Sequence, residues 1–82
     1  MENSIFWNYN FLTDDDCHCW IGKNPLNIPI HIFKELDNPL FNIVIDAQSF
    51  KLEADIFKLD EAKNIAENWI NEFKKQQYYY EI

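Results

Sequence analysis

The apolar residues of this chain change their period once, near residue 57, and that change constrains the fold more than any other feature. Up to residue 56, apolar and polar residues alternate in short runs, the two-residue period of half-buried strands. Beyond it, Ala62, Ile65, Ala66, Trp69, Ile70 and Phe73 recur at i, i+3, i+4, i+7, i+8 and i+11, one stripe of a 3.6-residue helix. Asp60 and Glu61 stand at the positive end of that helix, and Lys74 and Lys75 at its negative end.

The alternating runs resolve into strands. Residues 4–12 place Ile5, Trp7, Tyr9 and Phe11 on one face and Asn8 and Asn10 on the other. Thr13, Asp14, Asp15 and Asp16 form a polar turn. Residues 17–21 return, with Cys17, Cys19 and Ile21 on one face and His18 and Trp20 on the other. Residues 22–27 read as a loop, marked by Asn24 and Pro25. Ile28, Ile30 and Ile32 alternate with Pro29, His31 and Phe33. Pro29 lacks an N–H, so it belongs at a strand start or a sheet edge. Residues 34–39 connect, with Asp37, Asn38 and Pro39 as the turn signal. Phe41, Ile43 and Ile45 alternate, as do Phe50, Leu52, Ala54 and Ile56, and residues 46–49 join these two runs as a hairpin.

Strands followed by one amphipathic helix predict an α+β fold: a small antiparallel sheet of four to five strands packed in two layers against one C-terminal helix. At 82 residues the chain is read as a single domain, 1–82. Residues 76–82 read as a tail whose Tyr78, Tyr79 and Tyr80 are expected to lie on the sheet or on a partner. One helix covers one sheet face. Trp69 and Phe73 are core, with Trp7, Tyr9 and Phe11 facing them. Phe6, Trp20, Phe33 and Phe57 then fall on the opposite face, where some are expected to be exposed or in an interface.

Composition excludes several functions. A single glycine, Gly22, leaves no glycine-rich phosphate cradle. With no arginine, seven lysines and a net charge of −7, the chain has the wrong field for a nucleic-acid backbone. Direct nucleic-acid binding is therefore not expected, and a basic protein or nucleoprotein complex is. Residues 1–12 lack the basic start and apolar run of a signal peptide, and no run approaches the ~20 apolar residues of a membrane helix. Cys17 and Cys19 sit too close for an unstrained disulfide, so they read as reduced thiols of a cytoplasmic protein. Eleven isoleucines against one valine, ten asparagines and no arginine match A/T-rich codons, pointing to an AT-rich genome such as a low-GC bacterium or its phage.

Candidate chemistry is sparse. Cys17, His18 and Cys19 crowd together beside Asp14, Asp15 and Asp16, but a structural zinc needs about four convergent ligands and His18 points away from the thiols. A Cys17 or Cys19 pair with His31 lacks a positioned oxyanion donor. Glu53 and Asp55 share a strand face and could act as an acid–base pair, but they read more simply as its solvated side. No cofactor, no metal and no catalytic residue is assigned, and the chain is not expected to be an enzyme. The acidic surface is the stronger signal. Asp14, Asp15, Asp16, Glu53 and Asp55, with Glu35, Asp37 and Asp46 in neighbouring connections, would steer a basic partner if they share one side. Trp20, Tyr78, Tyr79 and Tyr80 are the aromatic anchors expected beside them.

The closing pattern, alternating strands running into Phe57-Lys58-Leu59-Asp60-Glu61-Ala62-Lys63 and then Ala66-Glu67-Asn68-Trp69, resembles many short phage and mobile-element proteins. In size, charge and layout the chain resembles small acidic inhibitors of bacterial defence, the anti-CRISPR proteins among them, over residues 41–75. That resemblance implies stoichiometric binding in the host cytoplasm, with carboxylates offered where a target expects phosphates. A second expectation is a homodimerising accessory domain whose spare strand edge and aromatic face pair with themselves.

Overall fold

The computed structural model describes residues 5–46, 48–49 and 55–80, and the side chains of 5–46 and 55–72. Five strands, β1 (Phe6–Leu12), β2 (Cys17–Lys23), β3 (Ile30–Glu35), β4 (Asn42–Ile45) and β5 (Gln48–Ser49), form one antiparallel sheet in the order β1-β2-β3-β4-β5. Helix α1 (Leu59–Tyr80) follows and packs on β3 and β4. The fold is the α+β two-layer arrangement that the change of period predicts.

Register decides which side chains meet the helix. Tyr9 pairs with Trp20, Trp20 with Ile32 and Ile32 with Ile43, so these four share one sheet face. Two residues along each strand, Trp7, Gly22, Ile30 and Ile45 line up in the same way. Ile30, Ile32, Ile43 and Ile45 from the sheet meet Ala62, Ala66 and Ile70 from α1, and Ile5 and Ile56 close the cluster. Alanine at two successive turns lets the helix approach the isoleucines closely. Each buried isoleucine contributes about 1.5–3 kcal/mol.

The helix is narrower than the sheet. At about 10–12 Å across, it spans roughly two strands spaced ~4.8 Å apart. It sits over β3 and β4, and the β1–β2 half of the same face lies beyond it. Tyr9 is accordingly 55 % exposed although it faces the helix side.

Several boundaries differ from the sequence expectation. Strand β2 continues through Gly22 to Lys23, so residues 22 and 23 belong to the strand and not to the loop. Strand β3 begins at Ile30, directly after Pro29, whose carbonyl accepts the Asp46 N–H at 2.7 Å. The hairpin after β4 is tighter than residues 46–49 imply: Asp46 takes a left-handed φ of 54° and β5 already starts at Gln48. Phe50, Leu52, Glu53 and Ala54 lie outside the described residues. Ile56 is buried but not in a strand, and its carbonyl accepts the Phe41 N–H at 2.9 Å. Residues 76–80 are not a separate tail, because α1 runs to Tyr80. Lys74 and Lys75 therefore do not stand at the helix end, whose last turn holds no basic residue.

Asn24 organises the β2–β3 loop. Its Oδ1 accepts the N–H groups of Leu26 at 3.1 Å and Ile28 at 3.3 Å, and its Nδ2 donates to the Ile28 carbonyl at 2.7 Å. Asn27, at φ 54°, closes the turn by donating to the Asn24 carbonyl at 3.1 Å. Asn24→Ala strands two backbone donors and one acceptor in a part-buried loop. It is expected to lower stability by about 1–3 kcal/mol, read as a shifted urea midpoint at unchanged slope.

Candidate protein-binding surface

Two turns meet at one end of the sheet. The β1–β2 turn is closed by Asp15 N–H donating to the Leu12 carbonyl at 3.2 Å, and Asp16 takes a left-handed φ of 47°, which a short polar side chain tolerates. The β3–β4 connection starts with Asn38 N–H donating to the Glu35 carbonyl at 3.2 Å, and Asn38 Oδ1 accepts the Leu40 N–H at 3.0 Å. Leu36 N–H donates to the Asp16 carbonyl at 3.0 Å and ties the two turns together.

This tie gathers charge. Asp14, Asp15, Asp16, Glu35 and Asp37 are all exposed at that end. Asp55 is exposed beside Ile56, whose bond to Phe41 brings the approach to α1 past the same connection. Lys34 lies among these carboxylates, its Nζ donating to the Glu35 carbonyl at 3.3 Å. Asp46 does not join them. Its bond to Pro29 fixes it at the opposite end of the sheet. Glu53 lies outside the described residues, as do the side chains of Tyr78, Tyr79 and Tyr80, whose backbone forms the end of α1.

An aromatic row runs from the acidic end toward the core on the β1–β2 half of the helix face, which α1 leaves open. Phe11 meets His18 edge-on at 5.2 Å, and His18 stacks on Trp20 at 5.9 Å. Trp20 lies 5.3 Å from Tyr9 and 5.8 Å from Phe41. Tyr9 Oη and His18 Nδ1 are 2.7 Å apart, a hydrogen bond that holds the exposed ring of Tyr9 in place. Trp20 thus corrects the sequence expectation. It lies on the helix face and is half-buried against the core, so the exposed end of the row is carried by Tyr9. The pattern of β2 already put Trp20 and His18 on one face. What it lacked was the register with β1 and β3, which sets that face under α1.

On the opposite face Phe33 stacks on His31 at 5.7 Å and 11°, and Phe6 is 69 % exposed. Cys17 and Cys19 lie on this face as free, buried thiols. Burial pushes both up from the ordinary thiol value, with Glu35 and Asp15 adding to the effect at Cys17 and Lys34 among the groups opposing it. Raised thiols are poor nucleophiles. Cys17 Sγ donates to the His18 carbonyl at 3.3 Å. Among the described residues no three His, Cys, Asp or Glu side chains are grouped so as to hold a metal ion, and no helix is long and apolar enough to cross a membrane. An open groove of about 470 Å³ at the far end is lined by Ile21, Lys23, Asn24, Asn27, Ile28 and His31 among others.

Compared with models of protein families, with curated proteins and with solved structures, the chain matches none.

Proposed function

We propose that this chain is a small acidic protein-binding module that inhibits a nucleic-acid-processing complex by stoichiometric binding. Its carboxylates would occupy a basic surface that otherwise holds phosphates, in the host cytoplasm and without catalysis. The observation that carries this reading is the Leu36–Asp16 hydrogen bond, which converts two separate acidic turns into one exposed cluster of Asp14, Asp15, Asp16, Glu35 and Asp37. The net charge of −7 extends that field into solution, where it raises the encounter rate with a basic partner. The neighbouring aromatic row supplies what charge alone lacks. Aromatic rings beside a charged rim are the anchors of protein interfaces. The resemblance to small defence inhibitors points to defence complexes of the CRISPR type as the first targets to test.

The test has two stages. The full chain is immobilised and offered lysate of a low-GC bacterial host that carries its defence systems, at low and high salt, with and without nuclease. Recovery of one basic nucleic-acid-binding protein, lost at high salt but retained after nuclease, is the expected outcome. Asp14→Lys with Asp15→Lys should then slow association with that protein by about tenfold or more while leaving the fold intact. An unchanged association rate in the double variant would sink the electrostatic reading.

A further inference from the structure

We propose that two copies of this chain join edge to edge through β1, antiparallel and centred on Tyr9, so that their sheets become one across a two-fold axis. The acidic end takes no part in the pairing and stays free in both copies, while Tyr9 passes from the aromatic row into the seam.

The first ground is that, among the described residues, β1 is an unpaired edge. It is the terminal strand of the sheet, and among the described residues no strand pairs with its outer side. Natural edges are blunted by shortness, lysine, proline or a bulge. Strand β1 has none of these. Its seven residues, Phe6–Leu12, hold no charge, no proline and no glycine, and its pairing with β2 runs in unbroken register.

The second ground is charge. A chain of net charge −7 repels its own copies, yet the β1 segment is neutral. Antiparallel pairing sets the two Asp14–Asp16 turns at opposite ends of the joint sheet, about 20 Å or more apart. Parallel pairing would set them side by side. Repulsion therefore selects the antiparallel form.

The third ground is self-complementarity. Centring on Tyr9 pairs Trp7 with Phe11 of the second copy, Tyr9 with its own equivalent, Asn8 with Asn10, and Phe6 with Leu12. These aromatic positions stand opposite one another on the helix side, next to the row of Tyr9, His18 and Trp20. On the other face the exposed amides meet each other, and Phe6, 69 % exposed, meets leucine. Shifting the centre by one residue either way sets an asparagine opposite Phe6 or Leu12.

The test is a sedimentation-equilibrium series on the full chain up to the millimolar range. The expected limit is twice the 9.9 kDa chain mass. Asn8→Lys with Asn10→Lys puts lysine opposite lysine in both amide pairs, and it should raise the dimer dissociation constant at least about tenfold even though it reduces the net negative charge. Asn8→Glu with Asn10→Lys makes both pairs complementary and should restore pairing. As a check that needs no added charge, Tyr9→Cys treated with oxidised glutathione, which accepts the two electrons and two protons of the thiol pair, should form a covalent dimer. Phe6→Cys should not, because its two copies lie ~20 Å apart along the joined strands. A wild-type chain that stays monomeric overturns the proposal and leaves the edge to a foreign strand. So does a lysine variant that dimerises undiminished, a charge-swapped variant no better than it, or cross-linking at Phe6→Cys but not at Tyr9→Cys.

Discussion

Ile32→Ala is expected to cost about 2–5 kcal/mol of unfolding free energy. A chain of this length holds only about 4–12 kcal/mol in total, so the variant should be part-unfolded at 37 °C. The site explains the size of the effect. Ile32 is fully buried in β3, the middle strand, with Trp20 opposite it on β2 and Ile43 on β4. Helix α1 lies over it and presents Ala62, Ala66 and Ile70, small or branched side chains that cannot swing into a vacated space. Truncation therefore leaves a cavity as well as a transfer loss. Urea unfolding followed by far-ultraviolet circular dichroism measures it. Phe57→Ala supplies the contrast: Phe57 is 59 % exposed and its loss should stay within about 0.5 kcal/mol. If the two variants prove equally stable, α1 does not seat on β3 as described.

Gly22→Val should destabilise by about 3 kcal/mol, the upper end of the usual range for overpacking. Valine is the better strand former, so propensity alone predicts the opposite sign. Space decides the outcome. A Cβ at Gly22 would stand 2.7 Å from Ile5 Cγ2 and 2.9 Å from Trp7 Cζ3. The indole of Trp7, directly opposite on β1, lies in the notch that the missing side chain leaves. Its Nε1–H is buried there without a hydrogen-bond partner in the described structure, so packing and not polarity holds the ring. Trp7→Leu in the Gly22→Val background should recover part of the loss, since it clears the ring from the added methyls. Thermal melts of the two single variants and the double variant give the coupling, and strict additivity would mean that the two residues do not share the space.

Much of the fold was legible because binary patterning is a local property. The stripe from Ala62 to Ile70 faces the sheet as its 3.6-residue period requires. The alternation in β1, β2 and β3 assigned faces correctly within each strand. Proline at position 29 marked the start of β3 for a reason that holds in any context, its missing N–H. The limits of β5 and α1 were less legible. The apolar alternation after residue 49 concealed a strand that begins at Gln48, because Asp46 reverses the chain in a left-handed conformation that no glycine announces. Lys74 and Lys75 looked like a helix end because basic residues suit that position, yet nothing in residues 76–80 breaks a helix, and α1 continues.

The candidate surface was legible only in its parts. Asp14, Asp15 and Asp16 announce a turn, and Glu35 and Asp37 another, but twenty residues separate them and only a backbone hydrogen bond from Leu36 to Asp16 makes them one cluster. Asp46 carries the same charge in the same kind of connection and ends up at the far end. Trp20 shows the same division. Its face within β2 follows from alternation, while its place beside the core follows from registers with Tyr9 and Ile32 that lie on other strands. By itself, then, the sequence determined the number and kind of layers, the side of each strand that each residue takes, and the net charge, because period and composition act over a few residues. Tertiary structure alone decided which carboxylates stand together, which aromatic rings α1 covers, and why position 22 must be glycine. Those outcomes depend on the width of one helix against five strands and on contacts between residues far apart in the chain, and no local pattern encodes either.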